Sequence, residues 1–363
     1  MTVPAPSTTA DTAATAATPS ASDAFIAGLP KVELHVHLEG SLLPETLLTL
    51  ARKHRLDSIP QTVEAIEAWY AFTDFPHFIQ VYVQALEGLR DEEDFALLAA
   101  VTGRALAAQN VRYAEVHVSL QSHLVRGIPA EVVFAGIEAG RVEAERETGI
   151  RLRWIPDFAG QFGAEAGELT LDAVLAHGPS SVVGFGVGGI EVERDPFEAV
   201  FDRARAAGLK SLPHAGEVEG PDRVWSAIRA LKAERIGHGI RSMDDPELVA
   251  YLRDTQLPLD VSPTSNLRTA AVARPEDHPL PRMIAEGLMV TLNSDDPPMF
   301  GTTLLGEYRF ARELGLATGT LVDLARNGVR ASYLEAAEKA ALLAEIDAYE
   351  ANGAGGAPGT GGA

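Results

Sequence analysis

The chain has 363 residues, of which 46% are hydrophobic and 22% charged, with no cysteine and a formal net charge of −21. These proportions are typical of a folded globular protein and exclude a fibrous or mostly disordered chain. The acidic balance argues against a nucleic-acid partner, because such binding requires clustered Lys and Arg. Without cysteine there is no disulfide and no thiolate ligand, so any metal must be held by His, Asp or Glu.

The two ends of the chain differ in composition from the rest. Residues 1–22 are mostly Ala, Thr, Ser and Pro without the basic start and apolar run of a signal peptide, and residues 351–363 are almost entirely Gly and Ala. We expect two disordered tails around one domain at 23–350. No run of 18 apolar residues occurs, which predicts a cytoplasmic protein with no membrane partner.

Eight short β-branched runs alternate with longer segments of helical periodicity, which is the pattern of repeated βα units. The runs predict strands at 32–37, 111–118, 151–157, 182–187, 209–214, 235–239, 257–262 and 288–294. Eight such units predict an α/β fold, a (β/α)8 TIM barrel, which routinely spans this length as one domain.

About seventy residues separate the first two predicted strands, more than one crossover helix needs. They include helix-like stretches at 44–54, 62–69 and 91–109, which predict a helical subdomain inserted after the first strand, at about 44–109, that roofs the barrel mouth. Aromatic residues around Pro76, at 72–78, are either lid surface or a local hydrophobic cluster.

Polar residues stand where four of the predicted strands end, the position from which catalytic groups project in such barrels. Each alone has an ordinary alternative, such as a polar strand face, a buried histidine or a helix cap. Together they offer metal ligands, an acid and a base. They are His35 and His37 after the first run, His214 and Glu217 after the fifth, His238 after the sixth, and Asp295 and Asp296 after the eighth.

The motifs around these residues resemble the adenosine deaminase family of the amidohydrolase superfamily. They read His-Val-His-Leu-Glu-Gly at 35–40, His-Ala-Gly-Glu at 214–217, Gly-His-Gly at 237–239 and Asn-Ser-Asp-Asp-Pro at 293–297. The resemblance runs from about Leu29 to about Leu343 and implies a hydrolase that removes the 6-amino group of an adenine compound as ammonia.

The resemblance also implies a role for each matching residue. His35, His37, His214 and Asp295 would bind one zinc ion per chain, the default metal for such a site. Glu217 would protonate purine N1, and His238 would orient or deprotonate the attacking water. Asp296 would contact purine N7, and the backbone amide of Gly189 would meet purine N3.

Two departures from the family pattern bear on the substrate, a small purine nucleoside. Glu39 stands where the adenosine enzymes have an aspartate near the ribose 5'-hydroxyl, and Gly186–Glu191 lacks two further aspartates of that pattern. Arg268 could hold a substrate carboxylate by a bidentate contact, or be an ordinary surface residue. We therefore expect 6-aminodeoxyfutalosine, a menaquinone precursor with an extended 5' substituent, slightly ahead of adenosine, with adenine behind.

Two other classes of function stay open. Another amidohydrolase activity, on an amide, lactone or phosphotriester, would often use two metals bridged by a carboxylated lysine, and the strand-end motifs show no lysine. A nucleoside-binding protein without activity would have lost a ligand or the acid, and none is missing. The other histidines, among them His117 and His123, have no partner identifiable from the sequence, and the oligomeric state is not predicted.

Overall fold

The computed structural model describes residues 21–354, which contain eight parallel strands in the order β1 to β8, each paired with the next. The strands are β1 Lys31–His37, β2 Val111–Val118, β3 Arg151–Ala159, β4 Gly184–Gly188, β5 Lys210–Ala215, β6 Ile236–His238, β7 Leu259–Val261 and β8 Val290–Leu292. All eight predicted strands are present, and the TIM-barrel fold is confirmed.

The barrel closes just after β8, through a parallel bridge between Val36 and Asp295. The Asp295 amide donates to the His35 carbonyl at 2.9 Å, and the His37 amide donates to the Asp295 carbonyl at 2.8 Å. One step earlier, the Asn293 side-chain oxygen accepts from the Leu34 amide at 2.9 Å. A side chain replaces a backbone carbonyl at this seam, so the regular part of β8 is shorter than the predicted run 288–294.

Helices surround the barrel, and none of those within residues 21–354 is both long and apolar enough to cross a membrane. The α-helices are α1 Asp23–Gly28, α2 Pro44–His54, α3 Val63–Tyr70, α4 Phe75–Ala85, α5 Glu92–Ala107, α6 Leu120–Leu124, α7 Ala130–Thr148, α8 Gly163–His177, α9 Glu198–Ala206, α10 Pro221–Arg229, α11 Pro246–Thr255, α12 Pro263–Arg268, α13 Leu280–Ala285, α14 Pro297–Phe300, α15 Leu304–Glu313, α16 Thr318–Ala331 and α17 Ala336–Ala354.

Between β1 and β2 the sequence predicts three helical stretches, and the structure adds a fourth helix, α4. It begins after Asp74, whose side chain accepts a hydrogen bond from the His77 amide, and it has Pro76 in its first turn. Its Val, Ile and aromatic residues have modest helix propensity, so capping and the early proline are the stronger signals here. The aromatic segment 72–78 is largely the start of this helix.

Helix α5 belongs to the outer layer of the barrel. It packs along α7 so closely that a side chain at Gly136 or Gly140 would overlap the backbone carbonyls of Glu92 and Ala96, respectively. Because α5 belongs to the barrel, the part of the predicted insertion 44–109 that lies outside the outer layer is the segment that carries α2, α3 and α4. Its identity as a separate subdomain stays a prediction.

The first and last helices, with the N-cap of the first, extend slightly beyond the predicted domain limits 23–350. Ser22 caps α1 by accepting a hydrogen bond from the Phe25 amide at 3.1 Å. At the other end, α17 continues to Ala354, and its Tyr349 ring packs on Phe25 with centroids 5.1 Å apart. The remainder of the predicted tails, 1–20 and 355–363, lies outside the described residues.

Candidate active site

Three histidines and one aspartate meet at the carboxyl ends of the strands. His37 Nε2 lies 3.2 Å from His214 Nε2 and 3.4 Å from Asp295 Oδ1. His35 Nε2 lies 3.5 Å from the same carboxylate oxygen. Ligand atoms about 2.0–2.1 Å from a tetrahedral zinc ion stand ~3.3 Å apart, so the spacing suits one ion held between these four residues.

The protonation states of the histidines suit metal binding. His35 is 1% exposed, and neither of its ring nitrogens has a hydrogen-bond partner. Burial lowers the pKa of His35 to about 4 and also lowers the pKa of His37 and His214. His214 Nδ1 lies 3.0 Å from the Val187 carbonyl and donates to it, which directs the Nε2 lone pair to the centre. Neutral imidazoles with free lone pairs are what a divalent metal requires.

Asp295 is held in place by its backbone and by its side chain. Its φ of 64° lies in the left-handed region, which costs a non-glycine residue about 1–3 kcal/mol. The backbone pairing with β1 fixes this conformation, and Oδ2 accepts from Ser265 Oγ at 2.6 Å. Burial opposes ionisation, but the imidazoles of His35 and His238 keep the pKa of Asp295 well below its usual range. The residue is an ionised ligand in a fixed orientation.

Glu217 has the environment of an acid. Thr269 Oγ1 donates to Glu217 Oε1 at 3.2 Å, and Glu217 Oε2 lies 3.6 Å from His238 Nε2. Burial raises the pKa of Glu217 above its usual value. A carboxyl group that keeps its proton closer to neutral pH can donate it to a substrate nitrogen.

Asp296 is buried next to an ionised carboxylate. Its pKa lies well above the usual range, first because of burial and then because of the charge of Asp295. Asp296 Oδ1 has no hydrogen-bond partner. A Cβ atom at Gly40 would overlap this carboxyl group, which explains the glycine of the first motif. A protonated, unpaired carboxyl group is a donor that a ligand can use.

A cavity runs from this centre to the surface and encloses about 950 Å³ of empty space, including its open mouth. Of the predicted residues it is lined by His37, Gly189, His214, Glu217, His238, Asp295 and Asp296. Its outer walls are mostly apolar and are formed by Phe75, Phe78, Ile79, Tyr82, Val83, Phe158, Ala159, Phe162 and Phe300. No Lys or Arg within residues 21–354 lines it. The cavity is polar at the catalytic end and aromatic towards the mouth.

Six polar residues of the cavity wall are absent from the predicted site, namely Ser119, Gln121, Ser122, Asp157, Gln161 and Thr269. Asp157 ends the predicted third strand, and its Oδ2 lies 3.3 Å from His117 Nδ1. Ser119 follows β2, and its Oγ lies 2.9 Å from the Tyr82 hydroxyl. The strand-end rule that finds the other residues also applies to Asp157, whereas Ser119 has no distinctive sequence signal.

The carboxylate of Glu39 does not line the cavity. It is fully buried, and it accepts hydrogen bonds from the Ser119 amide at 3.1 and 3.2 Å and from His123 Nε2 at 2.8 Å. The longer side chain of glutamate reaches this histidine, which lies 84 residues further along the chain. The structure thus gives no support to the predicted contact with the substrate, and Glu39 supports the cavity wall from behind.

Arg268 also lies outside the cavity lining. It is exposed, and its guanidinium group stacks on the Phe72 ring at 4.8 Å. Phe72 in turn packs on Phe78 and Phe300, which form the wall. The predicted contact of Arg268 with a substrate carboxylate is therefore not supported, because a layer of aromatic rings separates it from the cavity.

Comparison with known proteins agrees with this geometry. The family model described as adenosine deaminase matches residues 30–349. The aminodeoxyfutalosine deaminase of Streptomyces avermitilis is 48% identical over 332 residues, which cover 90% of this chain and 93% of that protein.

Two crystal structures are similar over nearly the whole chain. That of an adenine deaminase from Arthrobacter aurescens has a TM-score of 0.86 and 34% identity, and the match covers 89% of this chain and 99% of that one. That of an amidohydrolase from Burkholderia ambifaria, with bound Zn, has a TM-score of 0.83 and 29% identity over 92% and 94% of the two chains.

Proposed function

Since the chain belongs to the adenosine deaminase family of the amidohydrolase superfamily, we propose that it removes the 6-amino group of 6-aminodeoxyfutalosine as ammonia, a step in menaquinone biosynthesis. The observation that carries this proposal is the aromatic outer part of the cavity. Phe162 and Val83 line the mouth while 61% and 55% exposed. Exposed apolar side chains grouped around a cavity indicate a ligand surface, and an extended aromatic 5' substituent would cover this one.

We propose one zinc ion per chain, held by His35, His37, His214 and Asp295. Zinc bound there would supply Lewis acidity that brings the pKa of water close to neutral. Metal analysis of zinc-loaded protein tests the stoichiometry, with one ion per chain expected and His214→Ala expected to lose it. Two ions per chain would contradict the proposal and favour the two-metal hydrolases.

The residues around the proposed metal site then have different roles towards the purine ring. Glu217, with its raised pKa, holds a proton for N1 and relieves the negative charge that develops when water adds at C6. Asp296 donates a hydrogen bond to N7, and the Gly189 amide donates to N3. Three contacts along the ring orient C6 towards the metal ligands, and the aromatic walls exclude water from the remaining faces.

The absence of Lys and Arg from the cavity lining also bears on the substrate. A carboxylate on the 5' substituent finds no cation along the wall, so we propose that it remains at the solvent-exposed mouth. The apolar part of the substituent, rather than its charge, then provides the selectivity. Adenosine lacks that part and adenine lacks the sugar as well.

Adenine is the second candidate substrate, because the solved relative from Arthrobacter aurescens is named an adenine deaminase. The buried position of Glu39 is compatible with it, since adenine has no ribose hydroxyl to bind. A small-molecule substrate without nucleic acid, and a cytoplasmic location, stay predictions.

The test follows the ultraviolet change on deamination with 6-aminodeoxyfutalosine, adenosine and adenine at equal concentrations. We expect the highest kcat/KM for 6-aminodeoxyfutalosine, and Glu217→Gln as control should be nearly inactive on all three. Equal kcat/KM for adenosine and the 5'-extended nucleoside would overturn the substrate assignment. If the protein deaminates none of the three compounds, the deaminase role itself is overturned.

A further inference from the structure

A buried chain of hydrogen bonds lies behind His238. His238 Nδ1 is 3.2 Å from Asn266 Nδ2, and Asn266 Oδ1 is 3.3 Å from His278 Nε2. At the far end, the Leu280 amide donates to His278 Nδ1 at 3.1 Å. His238, Asn266 and His278 are all at least 96% buried.

The direction of every bond in this chain follows from the backbone amide at its end. An N–H group can only donate, so His278 Nδ1 is an acceptor. Burial lowers the pKa of His278 to about 4, so the ring is neutral and its single proton is on Nε2. His278 Nε2 therefore donates to Asn266 Oδ1, which turns the NH2 group of the same amide to His238. The orientation of the Asn266 amide thus follows from the backbone donor at Leu280.

We propose that Asn266 and His278 are positioning residues that hold His238 in the tautomer with its proton on Nε2. Because His238 Nδ1 accepts from Asn266, the ring has its proton on Nε2, the nitrogen that faces the cavity. That nitrogen lies 3.6 Å from Glu217 Oε2 and 3.8 Å from Asp295 Oδ2. The identity of the reaction rests on the proposed function, but the tautomer is a property of the folded chain alone.

The consequence concerns which of two roles His238 has. With its proton on Nε2, His238 donates a hydrogen bond to the oxygen of the attacking water and cannot accept a proton from it at that nitrogen. His238 therefore orients the water. When such a group turns the wrong tautomer towards the reacting atoms, kcat falls roughly 10²- to 10⁴-fold.

Asn266→Asp tests the relay, because it keeps the size of the side chain and replaces the donor facing His238 by an acceptor. In zinc-loaded protein labelled with 15N at histidine, the His238 signals are identified by their loss in His238→Gln. We expect the proton on Nε2 in the parent protein and on Nδ1 in Asn266→Asp, with kcat lowered roughly 10²- to 10⁴-fold and KM changed far less. A parent spectrum with the proton on Nδ1, or Asn266→Asp with parental kcat, would overturn the proposal.

Two further variants separate the relay from general damage to the fold. Asn327→Asp makes the same chemical change on α16, where the side chain donates to the Val290 carbonyl at 3.1 Å, at the start of β8 and away from the cavity. We expect it to keep the parental kcat and His238 spectrum. His278→Gln retains a donor for Asn266 and should preserve kcat, whereas His278→Leu lacks one and should lower kcat and give mixed tautomers.

The readouts remain informative in two unfavourable cases. If Asn266→Asp does not fold, the parent spectrum and the two His278 variants still decide the matter, and equal kcat in those two variants would count against the relay. If the protein deaminates none of the substrates offered, the spectrum still reports the tautomer, so failure of the proposed function and failure of this inference are distinguishable.

Discussion

The two ends of the barrel interior differ in whether their buried charged and polar groups have partners within the chain. Towards the N-terminal ends of the strands, the Arg235 guanidinium contacts Glu115 at 2.7 Å and Asp260 at 2.5 Å and donates to two backbone carbonyls. At the C-terminal ends, both nitrogens of His35 and one oxygen of Asp296 have no hydrogen-bond partner, and no Lys or Arg of the described residues lines the cavity there. Burial is similar in both places. Charge that is paired within the chain supports the fold, whereas polar atoms left unpaired are available to a ligand.

The largest effect on activity should come from a substitution at the C-terminal ends of the strands, where polar atoms are unpaired. Glu217→Gln keeps the shape of the side chain but removes the proton donor, so we expect kcat/KM to fall roughly 10²- to 10⁴-fold. The midpoint of thermal unfolding should not fall, because Glu217 is buried without a cation. Deaminase kinetics and thermal unfolding on the same sample test both parts, and a clear loss of stability would show that this end of the barrel is structural as well.

The paired end should respond in the opposite way. Arg235→Met leaves Glu115 and Asp260 buried without their cation, so we expect a loss of about 3–5 kcal/mol in the free energy of unfolding. The activity per folded molecule should be retained. Urea unfolding measures the loss, and Arg253→Met is the matched control. Arg253 makes an exposed contact with Glu286 at 3.4 Å, worth less than about 1 kcal/mol, so equal losses in the two variants would refute the comparison.

Glu307 is an intermediate case, a buried carboxylate whose bonding partners are neutral. It accepts from the Thr264 amide at 3.0 Å, and burial raises its pKa to about 7. Since the folded chain holds this proton more tightly than the unfolded chain, stability falls as the pH rises from about 4.5 to about 7. Glu307→Gln should be more stable than the parent by about 2–4 kcal/mol at pH 8 and by almost nothing at pH 4. Urea unfolding at the two pH values measures this, and an advantage of the same size at both would rule out the titration of Glu307 as its cause.

The smallest effect should come from the cavity mouth. Phe162→Ser removes an exposed aromatic side chain from the rim, so we expect kcat/KM for 6-aminodeoxyfutalosine to fall about tenfold, worth roughly 1–3 kcal/mol of apolar contact. The value for adenine should change little. Leu169→Ser, which alters an exposed apolar residue of α8 outside the cavity lining, is the control. A parallel fall for both substrates would indicate damage to the site rather than loss of contact with the 5' substituent.

The strand ends were predictable because a parallel barrel brings all of them to one rim. His35, His37, His214 and Asp295 follow from that rule and the residue types, and the structure places His37 within 3.4 Å of both His214 and Asp295 and His35 within 3.5 Å of Asp295. The positions of Glu39 and Asn266 did not follow. Each depends on a partner supplied by a distant or unremarkable segment, His123 for Glu39 and His278 for Asn266.

The fold likewise has parts that the sequence predicts and parts that it does not. Alternation of apolar runs predicted all eight strands, since burial on both faces gives them near-continuous β-branched sequences. Helix α4 was missed because its Val, Ile and aromatic residues have modest helix propensity and resemble those of a strand. Asp157 stands at a strand end and was recoverable, but its role is set by contact with His117, which no periodicity reveals.

The closure of the barrel at Asp295 has a consequence for the order in which the protein is made. Leu34 and Asn293, which join the two edges, are 259 residues apart, so a chain emerging from the ribosome already contains three of its four proposed metal ligands before the strand that completes the set. The ligand set is complete only when the seam forms. A nascent or truncated chain that ends before β8 thus lacks both the closed barrel and the carboxylate ligand, and metal retention becomes a record of synthesis beyond Asp295.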